Sequence, residues 1–215
     1  MKNDLLELVF ILDRSGSMCG LESDTIGGFN SMMEKQKKEN GDVLVTTVLF
    51  DDRIELLHNR TDIRALSPLT EKDYYVRGST ALMDALGSTI TRIARTHEHM
   101  AEDYRPGKTM FVIITDGYEN ASREYSRAKV KEMIEHEKSK YGWEFLFLGA
   151  NIDAVTTART MGIDEDYAVD FHADSQGVAL NYCVLSDAVS SARACAAPIG
   201  RKWKKRVEED YKSRK

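Results

Sequence analysis

Three residues near the amino terminus alternate in a way that chemistry could use. In "VFILDRSGSMCG", residues Val9 to Gly20, an apolar run ends in Asp13, and Ser15 and Ser17 follow at every second position. From that stretch alone a nucleophile turn, a phosphate cradle and a metal site are all open. Two further polar sets lie far down the chain: Gly78-Ser79-Thr80 ahead of "ALMDALGSTI", and Thr115-Asp116-Gly117 at the end of "KTMFVIITDG". Asp13, Ser15, Ser17, Thr80 and Asp116 together offer two carboxylates and three hydroxyls, with no sulfur or imidazole among them. An all-oxygen set favours a hard cation, Mg²⁺ or Mn²⁺ with Ca²⁺ as a further alternative, and disfavours zinc or copper. Magnesium takes an octahedron of about six oxygens and gives up its waters reluctantly. Five protein groups leave a position for an outside ligand. Neutral hydroxyls leave the ion's charge only partly offset, so that ligand should be anionic. Helix N-termini following Gly20 and Ser79 would favour the same sign.

For these groups to meet, three segments must deliver their ends to one edge. "LLELVFIL" (Leu5–Leu12) is nearly continuous in apolar residues, as a strand covered on both faces should be. In "TIGGFNSMMEKQKK", Ile26, Phe29 and Met33 fall at helical spacing despite Gly27 and Gly28. "DVLVTTVLF" (Asp42–Phe50) reads as a second strand, and Arg53–Thr61 follows too soon for a crossover, so the two pair as an antiparallel hairpin. Helices are expected over Ala81–His97, over Ser122–Lys140 with Ser122 as N-cap, over Asp153–Gly162 and over Ser175–Ala196. Between them lie buried strands at Lys108–Gly117 and Trp143–Asn151 and a short one at "YAVDFHA". This alternation predicts a doubly wound, Rossmann-like α/β sheet, mostly parallel, with helices on both faces. In such sheets ligands bind beyond the carboxyl ends of the parallel strands, where the strand order reverses.

The 215 residues suffice for a core without staples, and 42% hydrophobic with 30% charged residues is ordinary for a globular protein. A net charge of −5 gives no whole-molecule reason to expect nucleic acid or an acidic membrane as partner. Three cysteines, Cys19, Cys183 and Cys195, argue for a reducing compartment, and with no basic leader or apolar span in sight the cytoplasm is the expected location. Cys19 is expected half-buried beside the site. The five histidines show no ligand spacing, and His97-Glu98-His99 reads as a helix end.

"DRSGSM", "GSTALMDAL" and "ITDGYEN" resemble the three pieces of the metal-ion-dependent adhesion site (MIDAS) of von Willebrand factor A (VWA) domains. The resemblance runs from about Leu5 to the helix ending near Ala197, in element order as well as motif. It implies that Ser15, Ser17 and Thr80 bind the metal directly and that Asp13 and Asp116 bind it directly or through water. It further implies a non-enzymatic protein-interaction module whose partner completes the metal shell with an Asp or Glu. The antiparallel edge strand of the family matches the hairpin at Arg53. As a compact domain without a leader, the chain looks most like stand-alone bacterial intracellular members.

Plainer readings exist for each piece. Asp13, Ser15 and Ser17 could form a capped turn, Thr80 could cap the following helix, and Asp116-Gly117 could be a strand-end turn. Tyr74, Tyr75 and Arg77 either line a partner surface or pack their own loop. A Mg²⁺-dependent hydrolase or phosphatase on the same frame is the alternative chemistry, although the second acid an aspartate nucleophile usually wants two residues on is here Ser15. The chain is expected to divide into a VWA domain, residues 1–198, and a basic tail, residues 199–215. In the tail, Trp203, Val207 and Tyr211 recur every four residues amid eight Lys/Arg and three acids. That stripe should pack on the domain or on a partner, and a regulatory subunit held by this helix is the third reading.

Overall fold

A computed structural model of the chain describes residues 2–195 and 197–214. Ala196, the expected end of the closing helix, lies outside them. Six strands form one sheet: β1 (Lys2–Asp13), β2 (Asp42–Phe50), β3 (Ile54–Asp62), β4 (Pro106–Thr115), β5 (Glu144–Gly149) and β6 (Ala168–Asp170). Their order is β3-β2-β1-β4-β5-β6, and every neighbouring pair is parallel except β2 with β3. The hairpin partner is therefore the antiparallel edge strand, as its close spacing to β2 required.

Burial on both faces explains why β1 from Leu5 to Leu12 is apolar at every position but Glu7. Leu6, Leu8, Phe10 and Leu12 join the core layer beneath α1 (Glu22–Gln36) and α5 (Ser175–Ala194), which contribute Phe29, Met32, Tyr182 and Leu185. Val9 and Ile11 join the opposite layer beneath α2 (Leu82–His99), α3 (Arg127–Tyr141) and α4 (Ala154–Thr160). With both faces buried, no position on the strand can alternate with polar residues at low cost. The chain leaves β1 towards β2 on one side and later fills β4, β5 and β6 on the other. The strand order thus reverses between β1 and β4, and Leu12 pairs with Ile114. Asp13 and Thr115-Asp116 are therefore carried to the same level of one edge.

The start of α3 departs from the sequence reading. Ser126, not Ser122, is its N-cap, accepting from Lys129 N at 3.2 Å. The reason is a long-range contact. The Asp84 carboxylate, on α2, accepts the backbone N–H groups of Arg123, Glu124 and Tyr125 at 2.7, 2.9 and 2.7 Å. Those groups are held as a loop and cannot open a helix. The tail stripe lies on the chain's own body in α6 (Lys205–Ser213) and the turn before it. Val207 is buried, Trp203 Nε1 donates to Asp166 O at 3.0 Å, and the Tyr211 ring stacks on His172 at 4.6 Å.

Gly27 and Gly28 give a paired test of the α1–α5 contact. A Cβ on Gly28 would collide with the Tyr182 ring, whereas one on Gly27 would meet nothing within 4 Å. Gly28→Ala should cost about 1–3 kcal/mol through overpacking, and Gly27→Ala should gain up to about 1 kcal/mol through helix propensity. Urea midpoints of the two variants check this: equal shifts of the same sign would contradict the packing described.

Candidate metal centre

The three segments meet as the topology requires. Thr80 Oγ1 donates to Ser15 Oγ at 3.0 Å, Ser15 Oγ lies 3.1 Å from Ser17 Oγ, and Ser17 Oγ donates to Asp116 Oδ1 at 2.5 Å. Four of the five oxygen-bearing residues thus form a continuous chain. Asp13 stands behind it, with Oδ1 accepting from Ser15 N at 2.7 Å and Oδ2 from Thr115 Oγ1 at 2.5 Å. Asp13, Ser15, Thr80 and Asp116 are buried, while Ser17 is exposed, so the cluster opens to solvent at Ser17. Gly117 backs onto the hydroxyls: a Cβ there would lie 3.1 Å from Ser17 Oγ and 3.4 Å from Thr80 Oγ1.

Each loop is held by the next. Arg77 N donates to Arg14 O at 2.9 Å and Gly16 N to Gly78 O at 3.2 Å, joining the Ser15 and Thr80 segments. Gly78 turns with a φ of +64°, a conformation that favours glycine. Thr80 is clasped from the third segment: its N–H donates to Asn120 Oδ1 at 2.9 Å and its carbonyl accepts from Asn120 N at 3.0 Å. Thr80 does not cap α2. Ala81 occupies that position without a side-chain cap, which leaves the Thr80 hydroxyl to the cluster. Tyr74 is buried and donates its hydroxyl to Asp13 O at 2.5 Å. Tyr75 is exposed, with the guanidinium groups of Arg14 and Arg77 each 5.3 Å from its ring centre. Cys19 is exposed rather than half-buried.

Sequence reasoning missed the supports of the site. Arg14, fully buried, donates from Nε to Asp51 Oδ2 at 3.0 Å, from Nη2 to Glu55 Oε2 at 2.7 Å and from Nη1 to Asp73 O at 3.1 Å. Arg77 Nε reaches the same Asp51 oxygen at 2.6 Å. Asp51 directly follows β2, the neighbour of β1, so its position was accessible from the strand order; the identity of its partner was not. Asn120 lies in the same "ITDGYEN" segment as Asp116 and carried no signal of its own.

The electrostatics of the cluster are one-sided. Among the described residues no Lys or Arg forms an ion pair with Asp13 or Asp116. Burial pushes the Asp13 carboxyl up from its ordinary value. Burial, with the Asp13 charge adding to it, pushes Asp116 up to about 6. Asp116 Oδ2 is buried without a hydrogen-bond partner. An unpartnered carboxylate oxygen, a second carboxylate and three hydroxyls fit a hard divalent cation, which would supply the missing charge. Among the described residues no group of three or more His, Cys, Asp or Glu could hold a metal, so a soft or imidazole-based centre does not compete.

No family model matches the sequence, and no curated protein matches it. Solved structures do match. Proximal thread matrix protein 1 from the mussel byssus, with a zinc-occupied MIDAS motif, is 16% identical; the match covers 87% of this chain and 46% of that one, with a TM-score of 0.58. The von Willebrand factor type A protein from Catenulispora acidiphila is 12% identical over 86% of this chain and 42% of that one, with a TM-score of 0.55. Manganese-loaded Plasmodium vivax TRAP protein is 19% identical over 84% of this chain and 72% of that one, with a TM-score of 0.60. The chain spans less than half the length of the first two. At these identities the likeness establishes the fold, the α/β Rossmann-like fold of VWA domains.

The raised Asp116 value has a testable consequence. Asp116 titrates lower in the unfolded chain than in the metal-free fold, so its contribution to stability is full below about pH 4 and lost as pH rises through about 6. In EDTA, Asp116→Asn should therefore raise the thermal midpoint relative to wild type, and by more at pH 7 than at pH 5. Mg²⁺ should raise the wild-type midpoint at pH 7 and leave that of the variant nearly unchanged. An Asp116→Asn effect equal at both pH values would contradict this.

Proposed function

We propose that the chain is a divalent-cation-dependent protein-interaction module. One observation carries this reading: two buried carboxylates without a protein cation meet three hydroxyls at an edge that opens to solvent. In this reading Ser15, Ser17 and Thr80 hold Mg²⁺ directly, Asp13 and Asp116 hold it directly or through water, and Mn²⁺ or Ca²⁺ can take its place. The ion supplies a strong, directional attraction for an anionic oxygen. A partner protein brings that oxygen as an Asp or Glu carboxylate to the remaining position, above Ser17. Exposed Tyr75 and Tyr118, from the segments that carry Thr80 and Asp116, offer aromatic surface to a partner. The manganese-loaded TRAP protein and the zinc-occupied byssus protein support the placing of a divalent ion in this fold.

Two features favour binding over hydrolysis and over a tail-mediated role. Both Asp13 oxygens are engaged, by Ser15 N and Thr115 Oγ1, which leaves the group a poor nucleophile. The apolar stripe of the tail is spent on the chain's own body, with Val207 buried. Among the described residues no helix is long and apolar enough to cross a membrane. We place the protein in the bacterial cytoplasm, on the strength of its sparse cysteines and its sequence resemblance.

The proposal is tested by affinity capture from native extract, with Mg²⁺, with EDTA, and with a Thr80→Ala chain in Mg²⁺. A specific partner should fall by about tenfold or more in the second and third arms, the loss expected for one charge-assisted contact of at least about 1.4 kcal/mol. Equal recovery in all three arms would contradict the reading.

A further inference from the structure

At the amino ends of the strands, roughly 25 Å along β4 from the five oxygens, the chain opens a cavity of about 320 Å³. It lies between the last turn of α2, the start of β4 and the end of α3. Trp143 lines it, only 5% exposed, with its ring stacked on Phe111 at 5.4 Å. His97 meets that ring edge-on at 5.5 Å. The imidazole is fixed in turn: Nε2 lies 3.0 Å from Oε2 of Glu7, a fully buried carboxylate that also accepts Arg60 Nε at 2.8 and 3.0 Å. The Glu7 charge is thus answered, and the aromatic wall it supports is rigid.

Glu137, from α3, borders the same cavity, and only one of its two oxygens has a partner. Its side chain is 8% exposed; Oε1 lies 3.2 Å from His136 Nδ1, and Oε2 is buried with no hydrogen-bond partner. A buried carboxylate oxygen without a donor is costly until one reaches it. The cations in the lining donate to other groups, although Lys140 also feels the Glu137 charge. Lys108 Nζ donates to the carbonyls of Cys195 and Ala197 at 3.1 and 2.9 Å. Arg105 donates to the carbonyls of Met100 and Glu98 at 3.2 and 3.4 Å, and Lys140 Nζ lies 5.0 Å from the centre of the Tyr141 ring. What borders the cavity is an aromatic wall and a carboxylate with one oxygen that no protein group donates to.

We propose that this cavity binds a small organic cation: a primary amine joined to an aromatic or apolar body. The ammonium donates to Glu137 Oε2, and the body packs on Trp143 and His97. A charge-assisted hydrogen bond and a cation beside the Trp143 ring both favour an amine over a neutral analogue of equal size. A volume near the lower end of ligand pockets limits the guest to a small molecule. This site stands apart from the five-oxygen cluster and does not depend on its occupant.

The test is a titration of the full chain with 2-phenylethylamine and, separately, with 2-phenylethanol, followed by the indole N–H resonances of Trp143 and Trp203. The amine should shift the Trp143 signal saturably while Trp203 stays in place, and the alcohol should shift neither at the same concentration. Glu137→Gln should weaken the amine by about tenfold or more. If that variant does not fold, the wild-type comparison of amine and alcohol decides alone. No saturable Trp143 shift by about 10 mM amine, an equal response to the alcohol, or unchanged amine affinity in a folded Glu137→Gln chain would each overturn the proposal.

Discussion

Two carboxylates, Asp13 and Asp116, are buried at the ends of adjacent strands, and among the described residues no cation pairs with them. Other buried charges, on β1 and just after it, are answered by the chain itself. Glu7 has Arg60, and Arg14 has Asp51 and Glu55. Taking an ion out of water without a partner is expensive, and proteins that do so shift the group's titration or bind a counter-ion. Here the titration of both groups is displaced upward, and three hydroxyls stand ready around them. The cluster is costly as a purely structural element, and the proposed cation would offset that cost.

The topology makes that arrangement unavoidable once the residues are in place. Reversal of strand order between β1 and β4 opens a crevice at their carboxyl ends. The crossover into α2 then delivers Thr80 to the same rim. Around this rim rigidity is bought with polar contacts: Asn120 clasps Thr80, Asp84 fixes the loop after Asp116, and Arg14 ties β1 to β2 and to the Tyr75 segment. Preorganised neutral donors suit an ion that must stay able to accept one more ligand. In the proposed reading, the exposed edge at Ser17 is where a partner's carboxylate would arrive.

Most of the fold was legible in the sequence because it rests on local pattern. The apolar run of β1, broken only by Glu7, the helical spacing of Ile26, Phe29 and Met33, and the short gap before β3 each fixed an element. The five cluster residues were legible because they punctuate the ends of those elements. Features that depend on distant partners were not. Ser122 looks like a cap until Asp84 claims the N–H groups after it, and Thr80 looks like a cap until Ser15 claims its hydroxyl. The lining of the second cavity was equally hidden, since His97, Glu137 and Trp143 share no spacing and meet only through the packing of α2, α3 and β5.

The central claim is that Asp13, Ser15, Ser17, Thr80 and Asp116 together hold one divalent cation. Electron paramagnetic resonance of Mn²⁺ titrated into the protein tests it most directly, because free and bound ion are counted separately. The account predicts one saturable Mn²⁺ per chain, displaced by Mg²⁺, and lost when Ser15 and Ser17 are both replaced by Ala in a chain that remains folded. Absence of saturable Mn²⁺ in the wild type, or binding that survives the double substitution, would contradict it.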